Sequence, residues 1–153
     1  MNPITSMDRF FVSGKPVGKG RPRFTKDGHA YTPKTTRDYE EYVKACFMTS
    51  RRTNFGDLPV MVKIRAAFPI PQSFSQEKTA EALDDQIRPT KKPDADNIVK
   101  AMCDALNKLA YNDDSNVVKL LTDKIYSEDP GVKVWIGMWS KYRDFNDPEW
   151  RAE

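Results

Sequence analysis

The chain has 153 residues but only one histidine and two cysteines. A lone His29 argues against a histidine-rich metal site. Cys46 and Cys103 offer neither a zinc pattern nor a disulfide framework. Both fall in helical patterns and read as small buried side chains. No apolar run approaches the roughly 18 residues of a membrane span. The opening Met-Asn-Pro-Ile-Thr-Ser-Met-Asp lacks the basic and apolar regions of a signal peptide, so a cytosolic protein without a membrane partner is expected. Internal repeats are absent. What is present is ordinary for a soluble globular protein: 39% hydrophobic and 31% charged residues. This length supports one domain over 1–153 with a real core.

Periodicity predicts an α+β fold. Arg9 to Ser13 reads as a first strand. Thr35 or Thr36 is a candidate cap for a helix to about Met48, with Tyr39, Val43, Cys46 and Phe47 inward. Val60 to Phe68 is the cleanest strand, with Val60, Val62, Ile64, Ala66 and Phe68 on one face and Met61, Lys63 and Arg65 on the other. Ser75 to about Asp84 suits a short exposed helix. Asn97 to about Leu109 reads as a central helix burying Ile98, Val99, Met102, Cys103, Leu106 and Leu109. Val117 to Tyr126 and Val132 to Trp139 are two more strands, joined by a turn at Pro130 and Gly131. Trp135 and Trp139 fall on the less apolar face of the last strand. They serve either as an interface anchor or as a surface for the tail to cover. Residues 144–153 are polar and predict a loosely ordered end.

Net charge is only +3, but it is unevenly spread. Between Ser13 and Arg37, Lys15, Lys19, Arg21, Arg23, Lys26, Lys34 and Arg37 face a single acid, Asp27. Gly14, Gly18, Gly20 and Gly28, with Pro16, Pro22 and Pro33, make this stretch loop-rich. Phe24 and Tyr31 are interleaved. Such a segment is either a phosphate-contacting arm or a solvated loop. Arg88, Lys91 and Lys92 form a second basic cluster, and positive charge there suits a site that admits a polyanion.

That second cluster abuts the most informative stretch, Lys-Lys-Pro-Asp-Ala-Asp-Asn-Ile-Val-Lys over 91–100. In extended backbone Asp94 and Asp96 point the same way. Two such carboxylates repel unless they hold a hard cation such as Mg²⁺; the alternative is a helix N-cap. Asp113 and Asp114, in Tyr-Asn-Asp-Asp-Ser-Asn, are a second acidic pair or an ordinary turn. A helix from Asn97 to Leu109 rises roughly 20 Å, so the chain must fold back for Asp114 to meet Asp94 and Asp96. The stripe Asp96, Lys100, Asp104 and Lys108 is spaced by fours. Asp104 and Lys108 read best as ion pairs on a wet face, whereas Lys100 is placed to face the carboxylates.

The run Lys-Pro-Asp-Ala-Asp-Asn-Ile-Val-Lys-Ala-Met-Cys-Asp-Ala-Leu-Asn, followed by Tyr-Asn-Asp-Asp-Ser-Asn-Val-Val, resembles the RusA family of Holliday junction resolvases. Gly-Lys-Gly-Arg-Pro-Arg-Phe and Ala-Tyr-Thr-Pro are similar to the N-terminal stretch of its phage and Gram-positive branch. The resemblance covers about residues 9–139. It implies a single RusA-like domain with a small mixed sheet packed against two main helices. It also implies a homodimer that binds four-way junction DNA and makes paired symmetric nicks in recombination and repair, using Mg²⁺. The family's essential carboxylates match Asp94, Asp96 and Asp114, as metal ligands, and its important lysine matches Lys100. Lys15, Lys19, Arg21, Arg23, Lys91 and Lys92 are the expected DNA contacts, in a bacterial or phage-infected cytoplasm. The spacer from Asp104 to the acidic pair is one residue shorter than in the founding member, leaving Asp113 and Asp114 as alternative third ligands. Residues 70–90 have no counterpart there.

Two rival functions fit the same residues. One is a broader nuclease for flaps and forks. The other is a non-catalytic junction-binding accessory protein in which the acids only cap and turn. An aspartyl phosphatase fits less well, because its Asp-x-Asp follows an apolar strand and here two lysines and Pro93 precede it.

Overall fold

The computed structural model describes residues 7–50 and 53–151. Among the described residues, seven elements organise the fold and four shorter pieces complete it. Strand β1 is Met7–Ser13, and a two-residue pair, β2 (Arg23–Phe24) and β3 (Ala30–Tyr31), follows. Next come helix α1 (Lys34–Thr49), strand β4 (Val60–Pro69), helix α2 (Gln76–Leu83) and helix α3 (Ala95–Leu106). A 3-10 turn at Asp114–Asn116 leads into β5 (Val117–Ser127), β6 (Gly131–Met138) and a last 3-10 turn at Pro148–Trp150. The main sheet has the order β1-β6-β4-β5. Only the β4–β5 pair is parallel, and its crossover carries α2 and α3. This is the expected α+β architecture, with α1 and α3 as the two main helices.

Alternation builds the inner face. Phe10 and Val12 of β1, Val62 and Ile64 of β4, and Val132, Val134 and Ile136 of β6 all turn to one side and are buried. Val43 and Phe47 of α1 and Ile98, Met102 and Leu106 of α3 close over them. Phe10 and Phe47 meet edge to face at 5.5 Å. Thr36, a candidate cap, is instead buried inside the first turn of α1, where its hydroxyl accepts the Gly20 N–H at 3.1 Å. Pro33 holds the cap position.

The outer face of the sheet departs from the sequence expectation. Residues 144–151 do not form a loose end. Phe145 and Trp150 fold back onto Met61 and Trp135 and form a second apolar cluster with them. Apolar contact drives this return, and polar contacts pin it. Lys63 Nζ donates to the Trp150 carbonyl at 2.7 Å, and Arg143 bonds the Met138 carbonyl at 2.8 Å and Glu149 at 2.8 Å. The sparse polar pattern hid two aromatics spaced to reach the sheet together. Residues 152 and 153 lie outside the described residues. Trp135 is therefore covered by the tail, while Trp139 stays 39% exposed. Buried on both faces, β4 is the centre of the molecule.

Helix α3 begins and ends earlier than its periodicity suggests. Asn107 leaves helical geometry and Lys108 takes φ +70°. The chain then turns under the helix, burying Ala110 and Tyr111. The Tyr111 hydroxyl donates to the Cys103 carbonyl at 2.8 Å. Tertiary packing of Tyr111 overrides three further residues of helical pattern.

Trp150→Ala is expected to lower unfolding stability by roughly 3 kcal/mol or more, the usual cost of emptying a buried aromatic site. Urea unfolding of the variant measures it. A tail that only rested loosely on the sheet would show no such loss.

Candidate functional site

One cleft of about 350 Å³ lies between α3 and the start of β5. Asp96, Lys100 and Asp104 enter it from successive turns of α3, because residues four apart share a helix face. Asp114 enters from the 3-10 turn, and Val117, Val118 and Leu120 form the opposing wall. Three of the four predicted catalytic residues, Asp96, Lys100 and Asp114, are thus brought to one place. Among the described residues, neither Asp96 nor Asp114 has its carboxylate in an ion pair or a side-chain hydrogen bond.

Asp94 is placed differently from the sequence expectation. Helix α3 starts at Ala95, so Asp94 and Asp96 are not both on extended backbone. Asp94 is the N-cap residue and Asp96 belongs to the first turn, so the two no longer point together. Asp94 occupies the cap position without capping: its side chain accepts no backbone N–H there. Its carboxylate pairs with the exposed Lys92 at 3.5 Å, a contact of small energy at an open surface. It stands at the mouth of the helix, outside the residues that line the cleft. Among the described residues, no three acidic, histidine or cysteine side chains converge closely enough to hold one metal ion.

The second acidic pair divides its labour. Asp113 accepts hydrogen bonds from the Ser115 hydroxyl and the Ser115 N–H, and its own N–H donates to Asn116 at 3.0 Å. This reciprocal capping box holds the 3-10 turn. The Ser115 hydroxyl bond is the main reason that the Asp113 carboxyl lies below the ordinary aspartate range. Asp114 is left facing the cleft.

Asp104 and Lys19 were not read from the sequence as site residues in this way. Lys100 pairs with Asp104 at 3.5 Å, so the i,i+4 ion pair exists, but inside the cleft rather than on a plain wet face. Lys108, past the end of α3, leaves the stripe. Lys19 reaches Asp104 at 3.2 Å and also bonds Glu40 of α1. Burial opposes its charge, yet the two carboxylates outweigh burial and raise its pKa above the ordinary lysine value. Glu40 and Lys19 lie 21 positions apart, so no helical spacing announces them. Cys103 also touches the cleft. Burial, and then the nearby carboxylates, push its thiol up to about 11, which keeps it neutral and poorly nucleophilic.

The basic segment is a hairpin rather than a featureless loop. Thr25 N–H bonds the His29 carbonyl at 2.9 Å, and Gly28 takes φ +83° in the turn. Arg21, Arg23 and Lys15 are exposed, as are Phe24 and Tyr31. The root of the hairpin is fixed beside the cleft. Lys19 N–H bonds the Asn97 carbonyl at 2.9 Å, and Gly18 lies flat against Pro93 and Asn97. Lys91 and Lys92 are also exposed, and the Lys91 carbonyl accepts Lys124 Nζ at 2.5 Å, tying this stretch to β5.

Fold and cleft together define a small α+β protein whose carboxylates and lysine suit phosphodiester chemistry. The chain matches the family model described as Endodeoxyribonuclease RusA over residues 13–137. It is 40% identical over 133 residues to the uncharacterized protein YqaN of Bacillus subtilis (strain 168), a match covering 84% of this chain and 94% of that protein. The chain belongs to the RusA endodeoxyribonuclease family. No helix of the described residues is long and apolar enough to cross a membrane.

A Cβ at Gly18 would stand 2.9 Å from Pro93 Cβ and 3.0 Å from Asn97 Cβ, neither of which is a flexible side-chain end. Gly18→Ala is therefore expected to lift the hairpin root from α3. Hydrogen exchange at the Lys19 amide should accelerate, and stability should fall by about 1 kcal/mol, the scale of overpacking. An unchanged exchange rate would show that the root is not held there.

Proposed function

We propose that this chain is a Mg²⁺-dependent endonuclease that resolves four-way DNA junctions by paired nicks, in the cytoplasm of a bacterial or phage-infected cell. The observation that carries the reading is the meeting of Asp96, Asp114 and Lys100 in one cleft, with both carboxylates uncommitted. The donor chemistry fits. Mg²⁺ favours hard oxygen ligands, keeps several waters and is commonly held by one or two carboxylates together with substrate phosphate. A closed cage of three protein ligands is therefore not required. Asp96 and Asp114 would hold the ion, with Asp94 at the helix mouth as the third acid. Bound there, Mg²⁺ supplies Lewis acidity, water activation and charge neutralisation at the scissile phosphate.

The chain's own residues do the rest. Lys100, held by Asp104, presents its ammonium to charge developing on the phosphate oxygens. Asp104 is in turn held by Lys19, so that lysine serves to anchor the hairpin root and the cleft more than to bind DNA. Arg21, Arg23 and Lys15 on the hairpin, with Lys91 and Lys92 beside the helix mouth, supply backbone phosphate affinity that falls steeply with salt.

Two opposed cuts need two cleft copies, which favours a two-fold homodimer. With Trp135 covered, the better surface is the first half of β5. This strand lies at the edge of the sheet, and Val118, Leu120 and Leu121 are 56%, 44% and 43% exposed. A long apolar edge strand calls for a cover. Val118 and Leu120 also line the cleft, so a second copy seated there would place the two sites near each other.

Asp96→Asn and Asp114→Asn should each lower cleavage of a labelled four-way junction by roughly a hundredfold or more, since each deletes a charged ligand. Junction affinity should stay equal or rise, because negative charge beside DNA is removed. Wild-type cleavage by both variants would overturn the assignment. Comparison with flap and fork substrates separates a resolvase from a broader branched-DNA nuclease. Sedimentation equilibrium should report about twice the 17.6 kDa chain mass, and Leu120→Glu should return it towards one. A wild-type monomer that remains single on junction DNA would exclude paired cutting.

A further inference from the structure

The face of the sheet turned away from α3 carries a second concavity, of about 740 Å³. Its lining comes from the alternate residues of the strands, the ones that do not enter the helix-side core. Lys63 and Arg65 of β4, Lys133 of β6 and Arg151 of the tail contribute four cations, against one lining carboxylate, Asp129.

This arrangement is unfavourable as it stands. Arg65 lies directly across from Lys133 in the β4–β6 register, and like charges opposed in that way repel. Asp123 offsets part of this by bonding Arg65 at 3.2 Å, but it is shared with Arg88 at 3.4 Å. Lys63 is only 6% exposed. Its ammonium has the Trp150 carbonyl and the Trp135 ring, at 4.8 Å to the centroid, and no carboxylate within ion-pair distance among the described residues. Desolvation, followed by the charge of Arg65, holds its pKa below the ordinary lysine value. Lys133 and Arg151 likewise lack a carboxylate partner among the described residues. The indole N–H of Trp135, which lines the same cavity, is buried without a hydrogen-bond acceptor. Lys63, Lys133 and Arg151, the three lining cations without a carboxylate partner among the described residues, all call for an anion.

We propose that this outer cavity is a second anion site, built to bind a phosphoryl group through Lys63, Lys133 and Arg151. Lysine and arginine together suit phosphate oxygens. The volume falls in the range of sites for whole ligands rather than lone ions, so the phosphoryl group is carried by something larger. Two carriers share this chemistry: a free nucleotide and the backbone of a DNA strand passing behind the cleft.

The test follows the three tryptophan indole signals in ¹H–¹⁵N spectra of the whole chain during titration with a nucleoside monophosphate and, separately, with a short DNA duplex. Saturable movement of the Trp135 signal is expected with at least one of them. Response to the nucleotide alone assigns a small-molecule site, and response to the duplex at lower concentration assigns backbone binding. Lys133→Gln combined with Arg151→Gln should weaken the response by roughly tenfold or more, since charge-assisted bonds contribute on that scale. Arg151 is exposed and Lys133 only half-buried, and glutamine keeps most of either side chain's length, so the fold should persist. Asp96→Asn, at a residue that does not line this cavity, should not alter the nucleotide response of Trp135, which keeps that arm independent of the cleft assignment. No saturable Trp135 shift with either probe, or equal affinity in the double variant, would overturn the proposal.

Discussion

Strand β4 is the constraint on which the rest of the molecule depends. It is flanked by β5 and β6 and is buried on both faces along most of its length. Covering one face requires α1 and α3, and that requirement positions the cleft. Covering the other requires the tail, which brings Phe145 and Trp150 onto Met61 and Trp135. A strand that is apolar on one side and carries Met61, Lys63 and Arg65 on the other needs both layers. The parallel β4–β5 pairing adds a further demand, since a crossover must span the sheet. That crossover is the stretch that carries Asp94, Asp96 and Lys100.

The cleft then arises from where α3 stops. By ending at Leu106 and burying Tyr111 beneath itself, the helix delivers Asp114 to its own acidic stripe after a short return. Asp113 stabilises that return by capping, which leaves Asp114 pointing at α3. Lys19, Glu40 and Asp104 join the hairpin, α1 and α3 behind the cleft. The basic side chains of the hairpin and the cleft residues are thereby mounted on one connected support, the condition that the proposed reading needs for holding a substrate in register with its reacting groups.

Much of this was legible in the sequence because periodicity and turn chemistry agree. The β4 pattern, the inward face of α1 and the short helix expected from Ser75 to about Asp84 all match the structure. The stripe of Asp96, Lys100 and Asp104 was legible as a face, since residues four apart align on any helix. Other features were not legible, for physical reasons. Whether Asp94 and Asp96 point together depends on where the helix starts, and it starts at Ala95, two residues before the Asn97 that periodicity suggests. The end of α3 is set by burial of Tyr111, a tertiary effect. The Lys19–Glu40 contact joins distant segments that no local pattern couples. The tail reads as polar because only two of its aromatics meet the sheet, and two residues make no period.

The central claim is that Asp96 and Asp114, with Asp94 nearby, form a metal-binding catalytic centre between α3 and β5. Its most direct measurement is metal-centred self-cleavage of the chain. With Fe²⁺ substituted for Mg²⁺ and hydrogen peroxide and ascorbate added, Fe²⁺ reduces the peroxide to hydroxyl radicals that cut the polypeptide close to the bound ion, and ascorbate restores the Fe²⁺. New chain ends mapped by mass spectrometry should cluster at residues 94–97 and 112–115, and excess Mg²⁺ should suppress them. Chain ends concentrated elsewhere, or a pattern indifferent to Mg²⁺, would contradict the assignment.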